Sequence, residues 1–148
     1  MKPKWLEIAE KEIGVLEKRG GENPRILAYH ASTTLKAKED EIPWCSSFIN
    51  WCVTQAGIKG TNSAAAISWR NWGVPTEPKE GAIVIIRQKK KGTDKATGSS
   101  SGNHVAFFKK IEKGRIFLLG GNQSDQAKVS SFGLGSYEVL DCRWPAQV

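Results

Sequence analysis

Residues 43–57 read Pro43-Trp44-Cys45-Ser46-Ser47-Phe48-Ile49-Asn50-Trp51-Cys52-Val53-Thr54-Gln55-Ala56-Gly57. Cys45, Phe48, Ile49, Cys52, Val53 and Ala56 follow the i, i+3, i+4, i+7 series of one helix face, and Gly57 is a natural terminator. The stretch predicts a helix with Cys45 on its first turn and on its buried stripe. A cysteine in that position feels the positive end of the helix dipole and meets backbone N–H groups that have no helical partner. Both favour thiolate and can bring the thiol pKa from about 8.5 toward neutrality. Burial acts the other way, so activation requires a base nearby. The competing reading is a small core hydrophobe, and it is the one that suits Cys52 and Cys142.

Working outward, Trp5, Ile8, Ala9, Ile13 and Leu16 predict a helix from Lys4 to about Lys18, stopped by Gly20-Gly21. Asn23-Pro24 opens a second, short helix through Tyr29, with the proline in its first turn. A polar connection, Lys36 to Glu41, leads to the cysteine helix. After it, residues 61–73 predict a short helix carrying Trp69 and Trp72. From Gly81 onward the pattern changes to strands: Ala82 to Arg87, His104 to Lys109 and Arg115 to Leu119, the last two joined at Lys113-Gly114. Val129–Ser131 and Tyr137–Arg143 supply one or two more. Lys89 to Asn103, with Gly92, Gly98, Gly102 and a run of serines, reads as a long flexible loop. Helices first and strands second indicate an α+β domain rather than alternating βαβ units. At 148 residues the chain is one domain's worth, 1–148.

Two further runs carry chemistry. In Gly102-Asn103-His104-Val105-Ala106-Phe107-Phe108, a histidine begins an apolar strand. Such an imidazole can take a thiol proton and return it to a leaving amine. In Leu118-Leu119-Gly120-Gly121-Asn122-Gln123-Ser124, a strand runs into two glycines and two amides. If the two strands pair through Lys113-Gly114, Asn122 comes back beside His104, where an amide can fix the imidazole tautomer. His30 reads as structural or as a surface residue.

Composition narrows the partners. A formal charge of +7 suggests an anionic partner, although the lysines form no single stripe. Six tryptophans can build a core or line a groove for a long polar substrate. Three cysteines without a CxxC pair indicate neither a disulfide scaffold nor a zinc site. The N-terminal residues MKPKWLEIAEKE lack the apolar stretch of a secretory signal, and no apolar run reaches the roughly 20 residues that span a bilayer. Synthesis in the cytoplasm, with any action outside the cell reached after lysis or by a non-Sec route, is the expectation.

PWCSSFINWC, NHVAFF and LLGGNQS together resemble the NlpC/P60 and CHAP superfamily of cysteine amidases and endopeptidases, and within it a phage- and prophage-associated branch marked by GGNQ. The resemblance covers nearly the whole chain. It implies a papain-like fold in which a cysteine helix packs on an antiparallel sheet. It further implies Cys45 as nucleophile, His104 as base and Asn122 as the orienting residue, with Gln123 competing for that last role. Trp44, Trp69 and Gln123 are expected against the substrate. No metal or cofactor is implied, and the backbone N–H of Cys45 would serve the oxyanion. The chain departs from the family in two places: Asn103 intervenes between Gly102 and the histidine, and the first strand begins Gly81-Ala82 instead of Gly-Asp.

The function expected is hydrolysis of amide bonds in the peptide stem or cross-bridge of peptidoglycan by a monomeric enzyme, with contact to an anionic wall or lipopolysaccharide. Two other readings stand beside it. One is a binding module for glycan or polyanion, although no nucleic-acid signature is present. The other is a protein-modifying transferase or deamidase on the same Cys-His chemistry.

Overall fold

The computed structural model describes residues 2–16, 23–31, 33, 44–63, 65–94, 96–97, 99 and 101–146. Three helices come first: α1 (Lys4–Lys11), α2 (Pro24–Ala31) and α3 (Cys45–Gln55). A 3-10 turn (Ala66–Asn71) follows. The strands are β1 (Val74–Pro75), β2 (Ile83–Gln88), β3 (Asn103–Glu112), β4 (Arg115–Gln123), β5 (Gln126–Gly133) and β6 (Tyr137–Trp144). They form one antiparallel sheet in the order β1-β6-β2-β3-β4-β5. The α+β architecture expected from the sequence is the one found.

The first helix ends earlier than its periodicity predicts. Gly14 has φ +105°, its N–H donates to Ala127 O at 2.9 Å, and Val15 O accepts from Ala127 N–H at 2.8 Å. Residues 14–16 therefore lie along β5 as a short extended piece, and a tertiary contact overrides local propensity. Ile13 and Leu16 are left exposed, and Glu17 and Lys18 fall outside the described residues.

Alternation along the strands sends side chains to two faces, and both are buried. Ile83, Ile85, Val105, Phe107 and Leu119 pack under the helices with Trp5, Tyr29, Phe48, Ile49 and Cys52. Val84, Ile86, Ala106, Phe108, Leu118 and Phe132 pack on the other side. Two buried faces explain why β2 reads as an unbroken apolar run. The second face is covered because the sheet curls. β5 and β6 lie well apart in strand order but are consecutive in sequence, and Phe132 meets Tyr137 edge-on at 5.0 Å.

The helix carrying Cys45 lies very close to the sheet. A Cβ built at Gly121 would stand 2.7 Å from Phe48 Cβ and from two atoms of the Trp44 ring, so only glycine allows this approach. Lys113 and Gly114, both at positive φ, make the tight β3–β4 turn, and Ser124 and Asp125 do the same between β4 and β5. No helix among the described residues is long and apolar enough to cross a membrane.

Candidate active site

Cys45 is the first residue of α3, as its sequence position predicts, and is 5% exposed. Burial raises its thiol pKa, and backbone N–H groups of Val105, Ser46 and Cys45 itself oppose that shift. At rest the sulfur is a thiol facing three donors, an arrangement suited to hold negative charge once it develops. The neighbouring hydroxyls fasten this end of the helix. Trp69 Nε1 donates to Ser46 Oγ at 2.9 Å, and Ser46 Oγ donates to Ser63 O at 2.6 Å. Ser47 Oγ lies 2.9 Å from His30 Nδ1.

The β3–β4 register runs from Glu112↔Arg115 to Phe107↔Leu119 and goes no further. Beyond it lie His104–Ala106 on one strand and Gly120–Gln123 on the other, and Val105 N–H reaches the Cys45 sulfur there. His104, adjacent to Val105, points to the inner face of the curled sheet and packs against Phe132 with ring centroids 5.7 Å apart. The Val105 N–H thus brings the sulfur to β3 one residue along from His104. They are not hydrogen-bonded to each other: His104 Nδ1 is buried and has no hydrogen-bond partner among the described residues.

The tautomer of that imidazole follows from its other nitrogen. His104 Nε2 lies 2.9 Å from Gln123 Oε1. The Gln123 amide is oriented by its own donors, which reach Leu118 O at 3.1 Å and Lys128 O at 2.8 Å. An oxygen therefore faces the ring, Nε2 carries the proton, and Nδ1 presents a lone pair. Burial pushes the imidazole pKa down to about 4, against the opposing effects of the Gln123 hydrogen bond and the Asp94 charge. The group is a neutral base through the physiological range.

The amide that reaches the imidazole is thus that of Gln123, while that of Asn122 turns elsewhere. A bulge in the β4–β5 register between Gly120 and Gln123, with Asn122 at φ +60°, turns the Asn122 amide away from the ring. It donates to Thr97 O at 2.8 Å instead. The absent side chain of Gly120 makes room for this: a Cβ there would sit 2.7 Å from Gln123 Oε1. Gln123, Trp44 and Trp69 are wholly buried. Trp44 instead stacks on Tyr29 with centroids 5.7 Å apart.

The segment between β2 and β3 also differs from the flexible loop expected. Asp94, Thr97 and Ser99 are buried in it, and the Asp94 carboxylate accepts from Thr97 Oγ1 at 3.1 Å and from Tyr137 Oη at 2.8 Å. Sequence reading missed Asp94 and Tyr137. Their only signal was a lone acid in a serine-glycine run and an aromatic at a strand start.

His104 gives a stability prediction. Its pKa is about 4 in the folded chain and 6.5 as reference, so between these values the folded state binds fewer protons than the unfolded one. Stability should rise with pH across that window and be lost as pH falls through it. At about 1.4 kcal/mol per pH unit the full effect is about 3 kcal/mol. Urea unfolding at pH 7 and pH 4.5 checks this: the difference should shrink in His104→Phe, and an unchanged difference refutes it.

The family model of the CHAP domain matches residues 37–122, more than half of the chain. The match includes Cys45 and His104 and ends one residue before Gln123. Among solved structures, a protein of Staphylococcus aureus subsp. aureus Mu50 described as similar to lipoprotein, NLP/P60 family, is 17% identical with a TM-score of 0.46. The alignment covers 95% of this chain and 39% of that one, so the chain spans well under half of that protein's length. No curated protein sequence matches.

Proposed function

The chain belongs to the CHAP domain family, whose members are typically hydrolytic cell-wall enzymes, and from that premise we propose that it cleaves peptide-type amide bonds of peptidoglycan with Cys45 as nucleophile. The observation that carries the reading is the state of His104: buried, neutral, with Nε2–H fixed by Gln123 and an Nδ1 lone pair left open beside the strand that touches the sulfur.

In this reading Nδ1 takes the thiol proton as sulfur attacks the amide carbonyl, and the imidazolium so formed returns a proton to the leaving amine. The backbone N–H groups at the start of α3 stabilise the oxyanion. Water, deprotonated by the same nitrogen, then hydrolyses the thioester. Gln123 keeps the ring in the tautomer that the first step needs. Replacing it by leucine should lower kcat by about a hundredfold with little change in KM, in steady-state kinetics on a soluble stem peptide. A kcat within twofold of wild type would remove Gln123 from the mechanism.

The test of the function is digestion of purified peptidoglycan by the wild-type protein, with mass spectrometry of the soluble fragments. Fragments with a new amine and a new carboxyl end are expected, and their masses name the bond. A wall left intact, at protein concentrations that visibly bind it, overturns the hydrolase and favours a binding module.

A further inference from the structure

The buried carboxylate of Asp94 lies on the same side of the sheet as His104, in a segment that the proposed mechanism does not use. Its Oδ2 accepts from Tyr137 Oη at 2.8 Å and from Thr97 Oγ1 at 3.1 Å, and its Oδ1 accepts from Ala96 N–H at 3.0 Å. From there contacts run both ways to the imidazole. In one direction Tyr137 packs on Phe132 at 5.0 Å, and Phe132 on His104 at 5.7 Å. In the other, Thr97 O receives the Asn122 amide at 2.8 Å, and the next residue, Gln123, holds Nε2 at 2.9 Å. The ring is closed, and His104 and Asp94 stand on opposite sides of it.

We propose that Asp94 is a positioning residue for His104: its buried charge stabilises the imidazolium that forms during turnover, and its hydrogen bonds seat the Thr97 carbonyl that holds the Asn122–Gln123 turn. The inference rests on the hydrolase reading for its catalytic meaning, but its physical content concerns the resting protein.

A histidine with no exposure and only a neutral amide for a partner is a poor proton acceptor, because a charged ring would be formed without solvent. The surroundings supply little else. β4 contributes Gln123 and β5 Phe132, both uncharged. β6 contributes the Tyr137 phenol, whose ionisation is disfavoured by burial and by Asp94. From the helix side comes the Cys45 thiol, itself held protonated by burial. Among the described residues Asp94 is the charge that acts on the ring, and its effect runs opposite to that of burial.

The experiment is an NMR titration of the His104 ring nitrogens in 15N-labelled protein, with the signal identified by its loss in His104→Gln. The wild-type midpoint is expected at about 4. In Asp94→Asn it should fall by about one pH unit, the lower end of what an opposite charge does. In Asp94→Ser the charge is also gone while a hydroxyl remains to accept from Thr97 and Tyr137, so the same fall is expected, and this variant decides the matter if Asp94→Asn does not fold. A folded Asp94→Asn or Asp94→Ser with an unmoved midpoint overturns the proposal. Activity is not needed for either readout, so loss of the hydrolase reading would be seen separately, as a wild-type protein that titrates as expected and releases no wall fragments.

Discussion

Cys45→Ala protein is expected to fold as the wild type does and to release no peptidoglycan fragments, a loss of about 10⁴-fold or more in kcat. The substitution removes one sulfur atom from a helix terminus. The small void left behind costs about 1 kcal/mol, too little to unfold a domain of ordinary stability. Backbone donors at the start of α3, the His104–Gln123 pair and the core around Phe48 are untouched by it. What disappears is the thiol that would form the covalent acyl intermediate, and Cys52 and Cys142 lie elsewhere in the core and cannot replace it. The pH profile of the wild type sharpens the expectation. A neutral His104 with a pKa near 4 stays competent as a base well below neutrality, so the acid limb of kcat/KM should fall near pH 4. Residual fragment release by Cys45→Ala within a hundredfold of wild type, with circular dichroism unchanged, would require a different nucleophile.

The second large effect concerns the closeness of helix and sheet. Gly121→Ala should destabilise the fold by about 3 kcal/mol, at the upper end for an overpacked core. The added methyl would meet Phe48 Cβ and the Trp44 ring, each 2.7 Å away. Neither can step aside: both are fully buried, Phe48 is on the helix itself, and Trp44 stacks on Tyr29. The helix would have to lift, and the Cys45 sulfur would lift with it from the Val105 N–H. Thermal unfolding should show a fall of several degrees. Gly135→Ala is the control, since a Cβ there meets nothing within 4 Å, and its melting point should stay within about a degree. Equal behaviour of the two variants would mean that α3 and β4 do not pack this closely.

The two expectations draw on different levels of information. That Cys45 begins a buried helix was legible in residues 43–57, because helical periodicity and a terminating glycine are local properties of the chain. The β3–β4 hairpin was legible for the same reason, through its Lys113-Gly114 turn. Counting from that turn also brought His104 and the GGNQ run together.

Counting could not choose between neighbouring amides. A regular ladder put Asn122 opposite His104, but a bulge and one left-handed residue handed the contact to Gln123. A shift of one residue exchanges the faces of a strand, and bulges depend on what packs on both sides. The tryptophans show the same limit. Trp44 and Trp69 are compatible with a groove or a core by composition, and only the packing of α3 on the sheet buries them. Asp94 sat in a serine-glycine run that reads as a flexible loop, and only Tyr137, 43 residues further along the chain, gives it a place.

By itself, then, the sequence determined the order of helices and strands, the helix-terminal cysteine and the strand-initial histidine, since each follows from a short-range pattern. The tertiary structure decided which amide holds the imidazole, which nitrogen of that imidazole is open and which charge acts on it. Those depend on the curl of the sheet and on contacts between segments far apart in the chain, where burial and hydrogen-bond satisfaction, rather than local propensity, select the arrangement.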